Sequence, residues 1–234
     1  MKTTLLFLGC LLVAGACSHE APVSPAPAPA QTAVPVRDPE GRRGFDRMTP
    51  GALPEGWRVA GTHQEGPLAT WSVVADPGAS SLPHVLALTS STHGSGSTFN
   101  LCWDERARFK DGVYELVFRA DGGTSDQGGG PLWRLVDENN YYLCRANPLE
   151  SNFRLYVVKD GERKQLASAE AEIASGTWHT IHVEHKGPHI VCTLDDKVRL
   201  EADDASLPDA GAVGLWTKAD AQTAFDDLTV RPAQ

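Results

Sequence analysis

Residues 141–161 read YYLCRANPLESNFRLYVVKDG, and their side chains alternate with a period of two. One face of residues 141–147 is apolar, and the opposite face carries Tyr141, Arg145 and Asn147. A second run, residues 153–159, ends at the turn signal Asp160-Gly161. This alternation predicts half-buried β-strands and argues against an amphipathic helix.

The same alternation continues on both sides of this stretch. Further strand-like runs cover residues 113–120, 178–185, 189–194, 212–218 and 225–230. Turn residues separate them at roughly the 8–12-residue spacing of antiparallel sandwiches and barrels. Trp178 is expected to begin a strand in the core, and residues 167–176 to form one helical turn. The sequence therefore predicts an all-β fold, a two-sheet antiparallel jelly-roll sandwich.

The amino-acid composition limits the number of domains and the kinds of binding partner. The 234 residues are 41% hydrophobic and 22% charged, with a net charge of -9, which is ordinary for a globular protein. Lys and Arg do not cluster, and the longest cationic run is Arg42-Arg43. Since nucleic-acid binding needs clustered cations, that partner is excluded. No hinge-like composition interrupts residues 44–234, so we predict one domain there.

Residues 1–16, MKTTLLFLGCLLVAGA, have the features of a signal peptide: an early lysine, a short apolar run and small residues before Cys17. This arrangement resembles a bacterial lipoprotein signal, which implies that Cys17 carries a lipid. Ser18 resembles the residue that directs Gram-negative lipoproteins to the outer membrane. A plain secretory peptide cut near Ala16 is the alternative.

Residues 17–43 are rich in proline and alanine and cannot form a core. Such a segment favours extended polyproline II, at about 3.1 Å per residue. We expect a tether that holds the domain away from a membrane surface. A ligand for a proline-binding module is the alternative.

An ordered set of motifs runs through the domain: Arg134, Asp137, Asn140-Tyr141-Tyr142, Arg145, Asn152, Leu155-Tyr156, Gly161, Arg163, Trp178, Gly214-Leu215-Trp216 and Phe225-Asp226-Asp227. With these motifs the chain resembles a bacterial family of secreted concanavalin-like (LamG-like) jelly rolls, often labelled a 3-keto-disaccharide hydrolase domain. The resemblance covers essentially all of residues 44–234. It implies two curved sheets with a concave face, a fold that hosts lectins, glucanases and scaffolds alike.

Catalytic motifs are weak in this sequence. The Glu-x-Asp-x-x-Glu pattern of glucanases of this fold is absent, and so is a Gly-x-Ser-x-Gly elbow. The Gly-rich run 121–130 lacks the following helix that phosphate binding needs, so we interpret it as a flexible loop. If the family label implies catalysis, the base would come from His182 with Glu184, or from Asp137 with Arg134.

The sequence contains candidate residues for two kinds of metal site. A three-histidine site at His179, His182 and His185 is geometrically poor, because the middle residue of a strand points away from the other two. A structural calcium ion is the better candidate, since Asp46, Asp226 and Asp227 would meet if the first and last strands pair. Solvated strand-end carboxylates are the alternative. The cysteines Cys102, Cys144 and Cys192 show no metal spacing and are expected to be buried thiols.

The best binding constellation combines aromatic and polar side chains. Tyr141, Arg145 and Asn147 share one strand face, Trp216 and Lys218 share another, and Trp103 and Trp133 are candidate neighbours. Aromatic rings and planar polar groups suit carbohydrate. Alternatively, Tyr141 and Trp216 pack on a covered face and Arg145 pairs with an acid such as Asp137.

Two functions therefore compete. The first is a lipid-anchored carbohydrate-binding or envelope-associated module that binds cell-envelope glycan and touches the membrane only through its lipid. The second is a hydrolase or lyase of 3-keto-disaccharides, which rests on the family label. A scaffold for another envelope protein is a third reading.

Overall fold

The alternating runs form strands because each can bury one apolar face against a second sheet. The computed structural model describes residues 42–91 and 96–233, and these residues contain no helix. Its strands are β1 (Arg42–Arg43), β2 (Trp57–Thr62), β3 (Thr70–Ala75), β4 (His84–Ser90), β5 (Phe99–Phe109), β6 (Gly112–Gly122), β7 (Gly130–Asp137), β8 (Asn140–Asn147), β9 (Asn152–Lys159), β10 (Glu162–Glu170), β11 (Trp178–Lys186), β12 (His189–Leu194), β13 (Val198–Asp203), β14 (Gly211–Lys218) and β15 (Gln222–Pro232).

These strands make two antiparallel sheets. One has eight strands, in the order β13-β12-β11-β6-β15-β4-β3, with β1 pairing beside β15. The other has seven strands, in the order β10-β9-β8-β7-β14-β5-β2. The first and last strands of the described domain therefore pair, with Arg43 opposite Leu228.

The main core lies between the two sheets. From the eight-stranded sheet, Leu116 and Phe118 point into it, and from the seven-stranded sheet Trp133 and Tyr142 do so. These side chains are fully buried, and burial of such surface is the chief favourable contribution to folding. The predicted all-β, two-sheet antiparallel sandwich is confirmed.

Two local expectations are wrong. Residues 167–176 form no helical turn, because β10 stays paired with β9 as far as Glu170. Trp178 begins β11 as expected, but its side chain is only half-buried and lies outside the core. Its indole N–H donates to the Gly78 carbonyl at 2.6 Å, and the Arg119 guanidinium lies 4.8 Å from its ring centroid.

A second apolar layer covers the outer face of the seven-stranded sheet. It consists of side chains from β5, β7, β8, β9 and β14, with none from the eight-stranded sheet: Phe99, Leu101, Leu132, Leu135, Tyr141, Leu143, Tyr156, Val158, Ala212 and Trp216. This outer face is where the candidate site lies.

No helix within the described residues is long and apolar enough to cross a membrane. The predicted signal peptide, Cys17 and nearly all of the predicted tether fall outside the described residues.

Candidate binding face of the seven-stranded sheet

Strands β8 and β14 belong to the same sheet, with β7 between them. On β8 the side chains of Tyr142 and Cys144 enter the main core, so those of Tyr141, Arg145 and Asn147 emerge on the outer face. On β14, Leu215 enters the core and Trp216 and Lys218 emerge outside. The structure thus brings all five sequence-predicted binding residues to one face.

Aromatic rings fill the middle of this face. The ring centroids of Phe99 and Trp216 lie 5.3 Å apart. The Arg163 guanidinium lies 4.5 Å from the Tyr156 centroid and 4.8 Å from that of Phe99, within cation–π range. Trp216 and Tyr141 are both 0% exposed, so the alternative that they pack on a covered face is confirmed. The face is therefore an ordered apolar layer with a cation over it.

A buried carboxylate organises the β8 end of the face. Asp126, only 2% exposed, accepts hydrogen bonds from Asn147 Nδ2 at 2.9 Å and from Lys218 Nζ at 3.0 Å. These contacts tie together two side chains that the sequence placed on separate strands. Because the Asp126 carboxylate is charged, these hydrogen bonds are stronger than bonds between neutral groups, and they fix the positions of Asn147 and Lys218.

Asp126 is held in place by its loop. The Asp220 carboxylate accepts hydrogen bonds from the backbone N–H groups of Thr124, Ser125 and Asp126. Burial raises the pKa of Asp220, but these backbone donors outweigh it and lower the pKa to about 2. The Gly-rich run 121–130 is therefore an ordered loop that carries a site residue, which corrects its interpretation as flexible.

Arg145 is the most buried cation of the face, at 2% exposed. Its Nη2 donates to Glu150 Oε2 at 2.8 Å, and the same oxygen accepts from Arg154 Nη1 at 3.0 Å. The alternative that Arg145 pairs with an acid is confirmed, but the acid is Glu150 and not Asp137. Glu150 lies in the turn between β8 and β9, which folds back beside Arg145, whereas Asp137 is exposed at the end of β7, opposite Asn140 at the start of β8.

The ion pair keeps Glu150 ionised. Burial raises its pKa, but the hydrogen bonds from Asn152 and Arg145 and the charge of Arg154 lower it to about 2. Burial lowers the pKa of Arg145, but the neighbouring Tyr156, Asp126 and Glu150 outweigh burial, so the pKa of Arg145 is raised overall. Both groups are charged at neutral pH.

Several donors on this face have no acceptor. Arg145 Nε and Nη1 and Arg163 Nη1 are buried and make no hydrogen bond to any residue that the structure describes. A buried donor left unpaired costs about 1–3 kcal/mol, so a fold keeps few of them. Burial and the nearby Arg145 charge lower the pKa of Arg163.

Tyr141 is part of the buried framework. Its hydroxyl shares a 2.7 Å hydrogen bond with Thr62 Oγ1, and Thr62 Oγ1 also donates to the Glu138 carbonyl at 2.6 Å. Burial raises the pKa of Tyr141, so the phenol stays neutral at physiological pH. It can offer a ring and a dipole but not a charge.

An open depression of about 710 Å³ borders the face at the β9–β10 edge. It is lined by Glu150, Asn152, Arg154, Ser168, Glu170 and Glu172, with Ser151, Ala169 and Ala171. Glu150 contacts both Arg145 and the depression, and so connects the buried guanidinium with solvent.

The two sequence-predicted catalytic pairs are not part of this face. His182 and Glu184 do contact each other, at 3.2 Å, but on the outer side of the eight-stranded sheet, where Glu115 is the closer partner of His182 at 2.9 Å. Arg134 pairs with Asp111 at 3.2 Å and binds three backbone carbonyls, not Asp137. Asp137 accepts from its own turn, from Asn139 N and Asn140 Nδ2. The Arg134–Asp137 pair was therefore wrong.

The geometry does not support the predicted calcium site. Within residues 42–91 and 96–233, no group of three or more His, Cys, Asp and Glu side chains is placed to hold a metal ion. Asp226 and Asp227 instead accept hydrogen bonds from Ser80 and Ser81, and Asp46 Oδ1 accepts from the His84 N–H at 3.3 Å. Serine hydroxyls and backbone N–H groups therefore donate to the carboxylates that were predicted to bind a calcium ion.

Of the other sequence-predicted candidates, His179, His185 and the three cysteines are buried. His185 Nδ1 accepts a 2.9 Å hydrogen bond from the Trp133 indole, and burial together with the Arg134 charge lowers its pKa to about 3. Trp133, proposed as a neighbour of the binding residues, thus faces the opposite side of the sheet, while Trp103 does pack against the outer layer. Cys102, Cys144 and Cys192 are free, buried thiols.

Sequence reasoning missed five participants: Phe99, Asp126, Glu150, Tyr156 and Arg163. Arg163 stood in the family motif, but its approach to Phe99 depends on the curvature of the sheet, which local alternation cannot supply. Tyr156 could have been found from the β8–β9 hairpin, in which it pairs with Leu143.

Comparison with known proteins now assigns the chain to a class. Residues 44–231 match the profile of the 3-keto-alpha-glucoside-1,2-lyase-like domain, and the chain belongs to that family. No curated protein matches the chain.

Solved structures show the same architecture. The carbohydrate-binding module CBM66 from Bacillus subtilis is 20% identical, with a TM-score of 0.58 over 74% of this chain and 94% of that one. A protein of unknown function with a galectin-like fold, also from Bacillus subtilis, is 11% identical, with a TM-score of 0.52 over 80% and 96%. Domain 4 of AbnA, a GH43 extracellular arabinanase from Geobacillus stearothermophilus solved with arabinotriose, is 12% identical, with a TM-score of 0.51 over 81% and 89%. These likenesses establish the fold.

Proposed function

We propose that this protein is an exported, lipid-anchored carbohydrate-binding module of the cell envelope. The glycan lies on the outer face of the seven-stranded sheet. The observation that carries the proposal is the meeting, on that one face, of an aromatic layer with a buried guanidinium whose Nε and Nη1 lack acceptors.

The two parts of the face suit the two sides of a sugar. The half-buried Trp103 ring, which lies against this layer, can pack against the apolar C–H face of a pyranose, and directed donors can meet its hydroxyl and ring oxygens. The arginines are preferred as specific contacts because their planar groups donate several directed hydrogen bonds. The fold shared with the carbohydrate-binding module and with the arabinotriose-bound domain supports this class of ligand.

Binding is favoured over catalysis by the placement of the candidate bases. His182 lies on the other sheet, and Asp137 is held in a turn without Arg134. Neither acid–base pair approaches the aromatic layer. Hydrolysis of 3-keto-glucosides, assayed with and without EDTA, tests this part of the proposal, and turnover would overturn it.

Anchoring rests on the sequence of residues 1–17. Lipid on Cys17 and a Pro/Ala-rich tether would hold the domain at the outer membrane with its glycan-binding face free. Replacement of Cys17 by Ala is expected to release the protein from the membrane fraction, and retention there would contradict lipidation at this residue.

The binding test is a glycan array followed by titration of the best ligand. Arg145→Ala and Trp216→Ala are each expected to weaken binding at least tenfold, about 1.4 kcal/mol. Trp178→Ala is the matched control, since it removes an indole from the outer side of the other sheet. Circular dichroism at the titration temperature verifies that each variant is folded. Equal affinity of all three variants would contradict the assignment of the face.

A further inference from the structure

We infer that the glycan bound by this protein carries free amino groups, and that one protonated amino sugar occupies the open depression at the β9–β10 edge. The inference rests on the proposed function and names the class of saccharide. It is carried by acceptor groups around the depression that no donor among the described residues satisfies.

The depression differs from the rest of the outer face in being open. The aromatic layer, with Tyr141 and Trp216, is fully buried, so a ligand can reach that layer only at its margins. The depression beside it has a volume of about 710 Å³, within the range of roughly 300–1,000 Å³ that is usual for small-ligand sites. A sugar ring can therefore enter here without displacing a packed side chain.

Strand alternation builds the walls of the depression. On β9 the apolar neighbours enter the main core, so Asn152 and Arg154 point outward. On β10 Ala169 packs against the same core, so Ser168 and Glu170 point outward beside them. The register places Ser168 opposite Arg154, and Glu170 opposite Asn152. Polar side chains from two neighbouring strands thus meet at one opening.

An unpaired amide oxygen points to a ligand here. The Asn152 side chain is 6% exposed, and its Nδ2 donates to the Glu150 carbonyl and to Glu150 Oε2, both at 3.0 Å. Its Oδ1 accepts from no residue that the structure describes, and turning the amide over would break both bonds to Glu150. Folded proteins leave few buried acceptors unpaired. Because Asn152 lines the depression, the missing donor can come from a ligand that fills it.

The exposed wall of the depression carries uncompensated negative charge. Glu170 and Glu172 are exposed, and the residue between them is buried, so both carboxylates lie on the outer side, about 7 Å apart along the chain. No Lys, Arg or His within residues 42–91 and 96–233 pairs with either of them. Glu150 is different, because its Oε2 already accepts from Arg145 and Arg154. The ligand that complements this wall is therefore a cation.

A protonated amino sugar satisfies both requirements. An ammonium group can only donate hydrogen bonds, so it suits the amide oxygen and the carboxylates alike. The hydroxyl of a neutral sugar can also donate, but it does not offset the charge of Glu170 and Glu172. On the opposite wall Ser168 Oγ accepts from Arg154 Nε at 3.2 Å, which leaves the serine hydroxyl hydrogen for an oxygen of the sugar.

The test compares a matched pair of ligands on the purified chain. A β-1,4-linked glucosamine trimer and its fully N-acetylated form have the same length and linkage but differ in charge. Isothermal titration at pH 6 in EDTA, where the amines are protonated, is expected to show about fivefold tighter binding of the amino trimer. The preference is expected to fall as NaCl is raised from 50 to 500 mM. Trilysine, which has ammonium groups but no sugar ring, is expected to bind more weakly than the amino trimer.

Four variants locate the site. Glu170→Gln and Glu172→Gln are each expected to reduce the preference about twofold, and Glu162→Gln, a charge-matched control on β10 outside the depression, is expected to keep it. Ser168→Trp fills the depression without changing the charge and is expected to weaken binding of the amino trimer about tenfold. All four positions are exposed, so the variants should fold, and circular dichroism verifies this.

Several outcomes overturn the inference. If the two trimers bind equally, or other glycans bind and the amino trimer does not, the amino-sugar class is wrong and the proposed function stands. Binding of trilysine as tight as that of the amino trimer would show that the ammonium group is recognised without a sugar. A preference unchanged in Glu170→Gln, Glu172→Gln and Ser168→Trp would place the site elsewhere. If no saccharide binds at all, the proposed function fails together with this inference.

Discussion

The outer faces of the two sheets follow different rules. On the eight-stranded sheet, β6, β11 and β12 alternate between buried and partly exposed residues, and the outer positions carry polar groups such as Glu115, Thr180 and His182. On the seven-stranded sheet, β8 and β14 are buried at almost every position. One sheet thus has a single apolar face, and the other has two.

An antiparallel sheet needs only one apolar face to form a sandwich. The second layer on the seven-stranded sheet therefore requires an explanation outside folding of the main core. Its buried aromatic rings and the guanidinium nitrogens without acceptors among the described residues are the features on which the proposed glycan binding rests, whereas the outer side of the eight-stranded sheet is a solvated surface with paired charges.

The largest expected effect separates these faces through their tryptophans. Trp216→Ala removes a fully buried indole from the outer layer of the seven-stranded sheet and is expected to cost about 3–5 kcal/mol of unfolding free energy. Trp178→Ala, on the half-buried outer side of the other sheet, is expected to cost roughly 1 kcal/mol. Urea denaturation with a common slope measures both.

The comparison would fail if the two variants lost equal stability. Equal large losses would mean that Trp178 is a core residue, as the sequence suggested. Equal small losses would mean that the outer layer, including Trp216, contributes little to the unfolding free energy.

Most of the fold could be predicted from local alternation. The run at residues 189–194 coincides with β12, and the runs at 178–185 and 212–218 each lack one residue of β11 and β14. For β11 and β12 this worked because strands with one solvated face show their period directly. The failure at residues 167–176 has the same origin: a β-bulge between Gln165 and Ala167 breaks the period, and the alanines there favour a helix in isolation.

The site could be predicted only in part. Residues on one strand, such as Arg145 and Asn147, share a face by simple geometry. That Arg145 meets Glu150 depends on how the β8–β9 turn closes, and that Arg163 reaches Phe99 depends on contacts between opposite halves of the sheet. Such contacts are set by tertiary packing and leave no local period in the sequence.

An intermediate effect is expected at Asp226, a fully buried carboxyl on the eight-stranded sheet. Burial and the neighbouring Asp227 raise its pKa to about 6. The folded state then binds a proton more tightly than the unfolded state, so this group lowers stability as pH rises from about 4 to 6. The unfolding free energy lost over this pH range is on the order of 2–3 kcal/mol.

Asp226→Asn isolates this contribution. His185 titrates with the opposite sign, because its pKa is lowered to about 3, so the wild-type curve alone is not diagnostic. The difference in unfolding free energy, variant minus wild type, is expected to shift in favour of the variant by that amount between pH 4 and 7 in EDTA. A flat difference would contradict the raised pKa, and loss of the shift on adding calcium would revive the calcium site.

The smallest effect is expected at His182, on the solvated face. The hydrogen bond that His182 donates to Glu115 raises the pKa of His182 above its ordinary value, so the pair contributes stability at low pH and loses it as pH rises through the folded pKa. Both side chains are partly exposed, and solvent screening limits the gain to about 1 kcal/mol or less. His182→Gln should therefore cost no more than this at pH 5.5 and nothing measurable at pH 8.5, by denaturant unfolding at both values.

Because the pair faces solvent on the sheet opposite the aromatic layer, the same variant should bind glycan with wild-type affinity. A loss of affinity in His182→Gln without a loss of stability would move the functional surface to the eight-stranded sheet and reverse the comparison between the two faces.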